Sequence, residues 1–175
     1  WVTMPPGQEK GKNLPMVVLV HGGPFMPGQH WQFNAEVQFL AARGYVVIQP
    51  EFRGTLGYGT EHAKGGWRQW GKAMQDDVTD ATRWAMAQGL ADPKRIAIAS
   101  YGGYATLMGL VREPGLYRCG VCWVGVTDLD MLHTVTWDDM SASYKKLGMP
   151  KLLGDRVKDA DDLMANSPLT HAAKI

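Results

Sequence analysis

Ser100 lies in a stretch of the sequence whose residue types could perform nucleophilic chemistry. Residues 95–99 alternate isoleucine and alanine after an arginine, which is typical of a short buried strand, and residues 101–112 are apolar with helical spacing. The stretch therefore predicts a strand, a sharp turn carrying Ser100, and a helix. A serine on such a turn can attack a carbonyl carbon, because the free N–H groups at the helix N-terminus point toward the oxyanion that forms.

The same stretch departs from the usual spacing around a serine nucleophile. The pattern G-x-S-x-G has a glycine two residues before the serine, and Ile98 stands there in this sequence, where a branched side chain would crowd the turn. Turns that combine serine and glycine also join strands to helices in many α/β proteins without any catalytic role. An ordinary turn is therefore the alternative to catalysis when this element is taken alone.

The surrounding segments predict a sheet that would hold this turn. Continuous apolar runs predict buried strands at 16–20, 45–49, 95–99 and 119–124. These strands alternate with predicted helices at 31–43, 76–88 and 101–112. The alternation indicates the α/β class, with a parallel sheet and helices on both faces.

The remaining segments have weaker patterns. Residues 1–13 are expected to be a strand end that runs into a loop, and residues 130–148 a mixed, mostly helical insertion. Residues 150–175 are polar and are expected to form a loop that approaches another strand. The glycine-rich residues 21–24, HGGP, follow the first apolar strand and so fall at the carboxyl edge of the sheet, where open α/β sheets keep their ligands.

Length and composition restrict the class of protein. The 175 residues are enough for one domain with a sizeable core, and the 45% apolar and 20% charged contents are ordinary for a globular protein. A net charge of +1 gives no electrostatic reason to expect nucleic acid as a partner, and no apolar run approaches the length of a membrane span. The sequence begins at Trp1, which suggests that it starts partway through a larger protein, and the cellular compartment stays open between cytoplasm and periplasm or secretion.

Several residues invite a cofactor or metal interpretation that their spacing does not support. The glycines between 54 and 59 do not form G-x-G-x-x-G at the start of a helix, and no P-loop lysine follows, so no cofactor is expected. Asp76, Asp77 and Asp80 fall where a helix begins and complement its dipole, so no metal site is expected. Cys119 and Cys122 lie three apart on a predicted strand and face opposite sides, which favours core cysteines over a redox pair.

Four motifs in order closely resemble the catalytic domain of the prolyl oligopeptidase family of serine peptidases. They are HGGP at 21–24, RGTLGYG at 53–59, DPKRIAI at 92–98 and SYGGYATL at 100–107. The branches that contain acylaminoacyl-peptidases and dipeptidyl-peptidases are the most similar. The resemblance runs through essentially all 175 residues and implies an α/β hydrolase fold, of which this chain carries the first, nucleophile-bearing part.

The resemblance also implies roles for individual residues. Ser100 would be the nucleophile, and the backbone N–H groups of Tyr101 and Gly23 would form the oxyanion hole. This chemistry requires a neighbouring base to take the serine proton, and each oxyanion donor contributes roughly 3 kcal/mol to the transition state.

Three further residues take family positions around the substrate. His21 stands where some family members carry an oxyanion-binding tyrosine. Leu129 and Leu132, together with the Tyr101 ring, fall where relatives wall the pocket for the residue before the cut bond. The resemblance therefore implies an apolar substrate pocket in this chain.

Two departures from the family pattern limit what this chain can do. Family sequences read strand-Gly-x-Ser, and two residues are missing here before Ala99 or Ser100. The catalytic Asp and His of the family lie on loops beyond Ile175, and neither Asp128 nor Asp130 aligns with the loop of the acid. His133 and His171 have no family role and are interpreted as structural. The chain alone is therefore expected to be inactive.

The sequence leaves three functional hypotheses. The first is a serine peptidase that hydrolyses short peptides through an acyl-enzyme on Ser100; the second is an esterase or lipase of the same fold. The third is a non-catalytic piece with a role in binding or assembly.

The α/β hydrolase order places the four predicted strands side by side as 45–49, 16–20, 95–99 and 119–124, with family strands missing at both sides. Self-association, or pairing with the remainder of the same protein, is therefore expected.

Overall fold

The computed structural model describes residues 1–135 and 140–175. Its strands are β1 (Val2–Thr3), β2 (Leu14–Val20), β3 (Val46–Ile48), β4 (Ala91–Tyr101) and β5 (Cys119–Trp123). Its α-helices are α1 (Ala35–Ala41), α2 (Thr60–Gly65), α3 (Ala73–Ala87), α4 (Tyr104–Arg112), α5 (Met149–Leu152) and α6 (Ala160–Ala165). Met131–His133 and Pro168–Lys174 form 3-10 helices, and Tyr144–Gly148 forms a π-helix.

The strands form a single sheet in the order β1-β3-β2-β4-β5 within the described residues. β1 pairs with β3 in antiparallel fashion, and all other pairs are parallel. The order that we expected for the four central strands is confirmed, and so is the strand end near the N-terminus. Because parallel strands all end at one edge, the loops after β2, β3, β4 and β5 meet there.

Helices cover both faces of the sheet, as the α/β alternation predicts. On one face, α3 packs Met74 and Val78 against Val18 and Ile98 in the largest buried cluster. On the other face, α1 packs Val37 into a smaller cluster with the β2 and β3 side chains. α4 lies on the α3 side, close enough that a side chain at Gly109 would meet Ile98 at 3.0 Å. The sheet therefore positions the strand that carries Ser100 inside the core.

The final third of the chain is more helical than its sequence indicated. The expectation of a loop over 150–175 is wrong, since α5, α6 and the turns of 3-10 helix from Pro168 occupy most of it. These segments bury Leu153 and Leu163 against Leu129 and Met149 in a third apolar cluster. Short apolar spacing over four to seven residues was too brief to stand out as helical periodicity. The expected insertion at 130–148 is partly helical, and its residues 136–139 lie outside the described residues.

The β5 strand is an edge strand, and its cysteines are not in the core. Cys119 and Cys122 are both exposed and free of a disulfide, so the expectation of buried core cysteines is wrong. The reason is that β5 pairs with β4 alone and its outer side is uncovered. The Cys122 sulfur nevertheless packs tightly against two glycines, because an added Cβ would lie 2.1 Å from it at Gly103 and 2.4 Å at Gly125.

Among the described residues, no helix combines the length and the apolar character that crossing a membrane requires.

The loop after β3 is fixed to α3 by an arginine–aspartate pair. Arg53 donates from Nε and Nη2 to the two carboxylate oxygens of Asp77 at 2.8 and 2.7 Å, and its backbone N–H donates to the same side chain at 2.9 Å. Burial by itself would raise the pKa of Asp77, but the hydrogen bonds from Arg53 outweigh burial and hold that pKa below its ordinary value.

We expect this pair to make folding stability depend on pH. Since the pKa of Asp77 is lower in the folded state, its contribution is complete above the unfolded pKa of about 3.9 and is lost as the pH falls below it. Urea unfolding of the wild type and Asp77→Asn from pH 7 to pH 2.5 should show a stability difference that shrinks toward acid. Asp161→Asn, on the exposed face of α6, is the matched control. A difference for Asp77→Asn that stays constant over this range would contradict the assignment.

Candidate active site

Ser100 lies inside the sheet and not on the turn. β4 continues through Ser100 to Tyr101, and both residues pair in register with β5, opposite Cys122 and Trp123. The Ser100 side chain is buried, and its Oγ accepts hydrogen bonds from the Thr106 hydroxyl at 3.1 Å and the Thr106 backbone N–H at 3.3 Å. The prediction of a strand that ends at 99 and a turn that carries Ser100 is therefore wrong.

Two glycines form the turn in place of the serine. Gly102 and Gly103 have φ angles of 80° and 56°, in the left-handed region that side chains rarely adopt, and α4 begins at Tyr104. The Gly103 N–H donates to the Ser100 carbonyl at 3.2 Å, and the Val126 N–H donates to the Gly102 carbonyl at 2.8 Å. Pairing of Ser100 with β2 and β5 keeps the serine inside the strand. The bend then falls on the next residues that can adopt it.

The loop after β2 lies directly against this turn. A side chain at Gly22 would meet the Tyr101 carbonyl oxygen at 3.1 Å, so glycine allows the two backbones to approach closely. Gly23 has a φ of 130°, and its added Cβ would meet the Met26 side chain at 2.7 Å. The HGGP loop therefore reaches the end of β4, as its position after β2 predicts.

His21 anchors this loop through both of its ring nitrogens. Nε2 lies 2.9 Å from the Thr55 hydroxyl, and Nδ1 lies 2.9 Å from the Gly22 carbonyl oxygen. Its ring stacks on Phe52 at a centroid distance of 4.5 Å. His21 thus contributes to the pocket wall while its polar atoms bind neighbouring segments of the protein.

Tyr101 directs its ring away from the core. The ring is 54% exposed and stacks on Trp123 at 5.0 Å, and the hydroxyl donates to Glu36 of α1 at 3.4 Å. The negative charge of Glu36 raises the pKa of the Tyr101 hydroxyl above its ordinary value. The side chain after Ser100 therefore lies on the rim of the site, at the end of β4.

A mostly apolar pocket of about 90 Å³ lies beneath the turn at the carboxyl edge of the sheet. We call it the edge pocket. Its walls come from the loops after β2, β3 and β5, the start of α3, the glycine turn and the start of α4. The side chains that line it include Phe52, Trp70, Met74, Gln75, Val78, Tyr104 and Ala105.

The edge pocket and the predicted pocket wall differ in their residues. Leu129 is almost completely buried in the third apolar cluster, and Leu132 packs against that cluster. Neither residue lines the edge pocket, whereas Val126 and Tyr101 do. Trp70 and Met74 belong to no motif, and their only signal in the sequence is the apolar spacing around the start of α3.

The other acidic residues that we considered have structural partners. Asp76 accepts from Arg112 at 2.7 Å, and Asp130 accepts from Arg156 at 2.7 and 2.9 Å. Asp128 accepts the Asp130 backbone N–H at 2.9 Å in a local turn. In the described part of the chain, both hydrogen-bond partners of Ser100 Oγ belong to Thr106, so none of these three carboxylates binds the serine.

The sheet order, the helices on both faces and the strand–glycine–helix unit at the carboxyl edge define an α/β hydrolase fold. A solved Mycobacterium tuberculosis puromycin-hydrolyzing peptidase aligns with 99% of this chain at a TM-score of 0.86 and 27% identity, over 27% of its own chain. The Pyrococcus horikoshii acylaminoacyl peptidase aligns with all of it at a TM-score of 0.84 and 24% identity, again over 27% of its own chain.

The chain belongs to the prolyl oligopeptidase family, whose family model matches residues 31–174. It is 39% identical over 166 residues to dipeptidyl aminopeptidase BIII of Pseudoxanthomonas mexicana, and the aligned region covers 93% of this chain and 24% of the relative. It is 35% identical over 165 residues to dipeptidyl peptidase family member 6 of Caenorhabditis elegans, covering 91% of this chain and 22% of the relative. The chain thus spans about a quarter of the length of the curated relatives that it matches.

The two turn glycines provide a matched pair for mutation. Gly102→Ala would meet no atom within 4 Å, so we expect only the left-handed backbone cost of about 1–2 kcal/mol in unfolding free energy. Gly103→Ala adds a Cβ that would lie 2.1 Å from the Cys122 sulfur and 2.6 Å from the Gly125 Cα, so we expect about 1–3 kcal/mol more. Urea unfolding of both variants tests this difference. Equal losses would mean that β5 does not press on the turn.

Proposed function

We propose that this chain is the nucleophile-bearing part of a serine peptidase catalytic domain that hydrolyses short peptides through an acyl-enzyme on Ser100. The observation that carries the proposal is the meeting of β4, the HGGP loop and the N-terminus of α4 at one edge of the sheet, with Ser100 two residues before the glycine turn. The names of the family relatives, dipeptidyl and acylaminoacyl peptidases, support peptides as the substrate class.

The proposed reaction uses Ser100 in two steps. A base removes the hydroxyl proton, and Oγ attacks the carbonyl carbon of the peptide, giving a tetrahedral oxyanion. The backbone N–H groups of Tyr101 and Gly23 are our candidates for stabilising that oxyanion, because the HGGP loop contacts the end of β4. Collapse expels the amine and leaves an ester on Ser100, which water then hydrolyses. The base and its acidic partner are proposed to come from elsewhere in the whole protein.

The substrate side of the proposal is assigned by position. His21 forms part of the wall beside the oxyanion loop, and the Tyr101 ring forms the rim. Leu129 and Leu132 would support the wall from behind, through the third apolar cluster, since Trp70 and Tyr104 pack on both that cluster and the edge pocket. The substrate pocket should therefore accept apolar side chains.

Burial of Ser100 predicts that this chain does not turn over peptides. Its Oγ binds Thr106 under α4, and loss of a triad costs on the order of 10⁶ in kcat in a well-studied serine protease. We expect no cleavage of a peptide nitroanilide by the purified chain.

We also expect that inserting Gly-Ala between Ala99 and Ser100 moves the serine onto the turn. Labelling of Ser100 by a fluorophosphonate should then be at least tenfold faster, because an oxyanion hole accelerates attack even without a triad.

The label is located by mass spectrometry of the digested protein. The insertion variant that also carries Ser100→Ala is the control, and it should take up no label at this position. Robust peptide cleavage by the unmodified chain would contradict the predicted inactivity. Equal labelling of Ser100 with and without the insertion would contradict the proposed role of the turn, and it would favour the non-catalytic alternative for this chain.

We further propose that the β5 edge pairs with a strand from the remainder of the same protein or from a second copy. β5 is exposed along Cys119 to Cys122, and Val121 is 45% exposed, so an apolar strand edge faces solvent. Light scattering of the purified 175-residue chain should show association that increases with concentration. Val121→Lys should reduce it, because a lysine blocks edge pairing, whereas Val157→Lys, at an exposed loop position, should not. A monomer at high concentration would contradict the proposal.

A further inference from the structure

The carboxylate of Glu51 is largely buried beneath the segment that follows the HGGP loop. Its side chain is 12% exposed, and Oε2 is buried without a hydrogen-bond donor among the described residues. Oε1 accepts the Gln29 backbone N–H at 2.7 Å, and a side chain at Gly28 would overlap with Oε2. A buried carboxylate oxygen is costly unless a donor or a positive charge lies near it, so this oxygen requires a partner.

His21 is the basic side chain that faces this oxygen. Its Nε2 lies 3.9 Å from Glu51 Oε2, and its side chain is 9% exposed. Glu51 also borders an open groove beside α2 and α3, which Arg53 and His62 line as well. Arg53 is paired with a carboxylate of α3, and Nε2 of His62 bonds to the Phe52 carbonyl oxygen. Among the described residues, His21 is therefore the cation that Glu51 can have.

The contact with Thr55 requires a proton on Nε2 of His21. The Thr55 hydroxyl donates its one proton to the Phe52 carbonyl oxygen at 2.7 Å, because a carbonyl oxygen can only accept. The 2.9 Å contact between Nε2 and the hydroxyl oxygen must then have its proton on the nitrogen. Thr55 is fully buried, so solvent does not offer its hydroxyl another acceptor.

The contact with Gly22 requires a proton on Nδ1 of the same ring. Nδ1 lies 2.9 Å from the Gly22 carbonyl oxygen, which again can only accept. A neutral imidazole has one N–H group and one bare nitrogen, so it satisfies one of these two contacts and places lone pairs against each other in the second. An imidazolium ring donates to both Gly22 and Thr55, and its positive charge faces the buried oxygen of Glu51.

We infer that Glu51 is a positioning residue, which holds the His21 ring in its doubly protonated form and through that ring fixes the HGGP loop. His21 attaches the start of the loop to Thr55, and Glu51 attaches the following segment through the Gln29 N–H. Gly23 lies between these two attachments. The effect on the oxyanion rests on the proposed function, in which Gly23 is a donor, whereas the protonation of His21 does not depend on catalysis.

The experiment is ¹⁵N NMR of the histidine rings of the purified chain at pH 7, with His21 assigned through its own backbone signals. We expect both ring nitrogens of His21 to carry protons and to resonate close together. Glu51→Gln keeps an oxygen for the Gln29 N–H but removes the negative charge. One His21 nitrogen should then lose its proton and move far downfield, because imidazole in water is mostly neutral at pH 7.

Glu61→Gln is the matched control, because it removes an exposed carboxylate that lines the same groove. Both protons of His21 should remain in this variant. A bare His21 nitrogen in the unmodified chain would overturn the inference without any variant, so the inference stays testable if Glu51→Gln does not fold. Two protons retained in Glu51→Gln, or one lost in Glu61→Gln, would overturn the role of Glu51.

The effect on the loop is measured in the Gly-Ala insertion variant. Adding Glu51→Gln to it should slow fluorophosphonate labelling of Ser100 roughly threefold or more, because a displaced loop stabilises the oxyanion less. Adding Glu61→Gln should leave the rate unchanged. Equal labelling with and without Glu51→Gln would overturn the positioning role. An insertion variant that takes up no label would count against the proposed function, while the NMR spectra still decide whether Glu51 holds His21 protonated.

Discussion

The position of β4 between β2 and β5 determines the arrangement of the rest of the site. Ser100 pairs with Val20 on one side and with Cys122 on the other, and the pairing with β5 extends to Tyr101. Because these pairs form, the strand cannot release Ser100 into the bend without breaking the ladder. The bend moves to Gly102 and Gly103, and the serine hydroxyl turns to Thr106 beneath α4. Burial of the serine, exposure of Tyr101 and the start of α4 all follow from this register.

The sheet could be predicted from sequence because long apolar runs specify strands in a parallel sheet. Residues 16–20 and 45–49 lie on β2 and β3 within one or two residues of the observed ends, and the strand order followed from the motifs. The helical segments after Gly148 could not be predicted, since their stability comes from burying Leu153 and Leu163 against distant residues. Periodicity describes a segment by itself and contains little information about such contacts.

The candidate site was only partly predictable for a related reason. The motifs located the HGGP loop, the end of β4 and the helix that follows, and these do meet at one edge. The motifs could not predict whether Ser100 is buried in β4 or exposed on the turn. That outcome depends on the number of residues between the strand and the turn. They also could not identify Trp70 as part of the edge pocket, because only the packing of the loop before α3 places it there.

The contact between the Cys122 sulfur and two glycines constrains how this chain can evolve. Gly103 belongs to the turn and Gly125 to the loop after β5, yet neither can gain a side chain while a sulfur occupies the space between them. Conversely, a residue larger than cysteine at 122 would press on both backbones at once. A side chain at either glycine should therefore appear only in lineages where position 122 has already become smaller than cysteine.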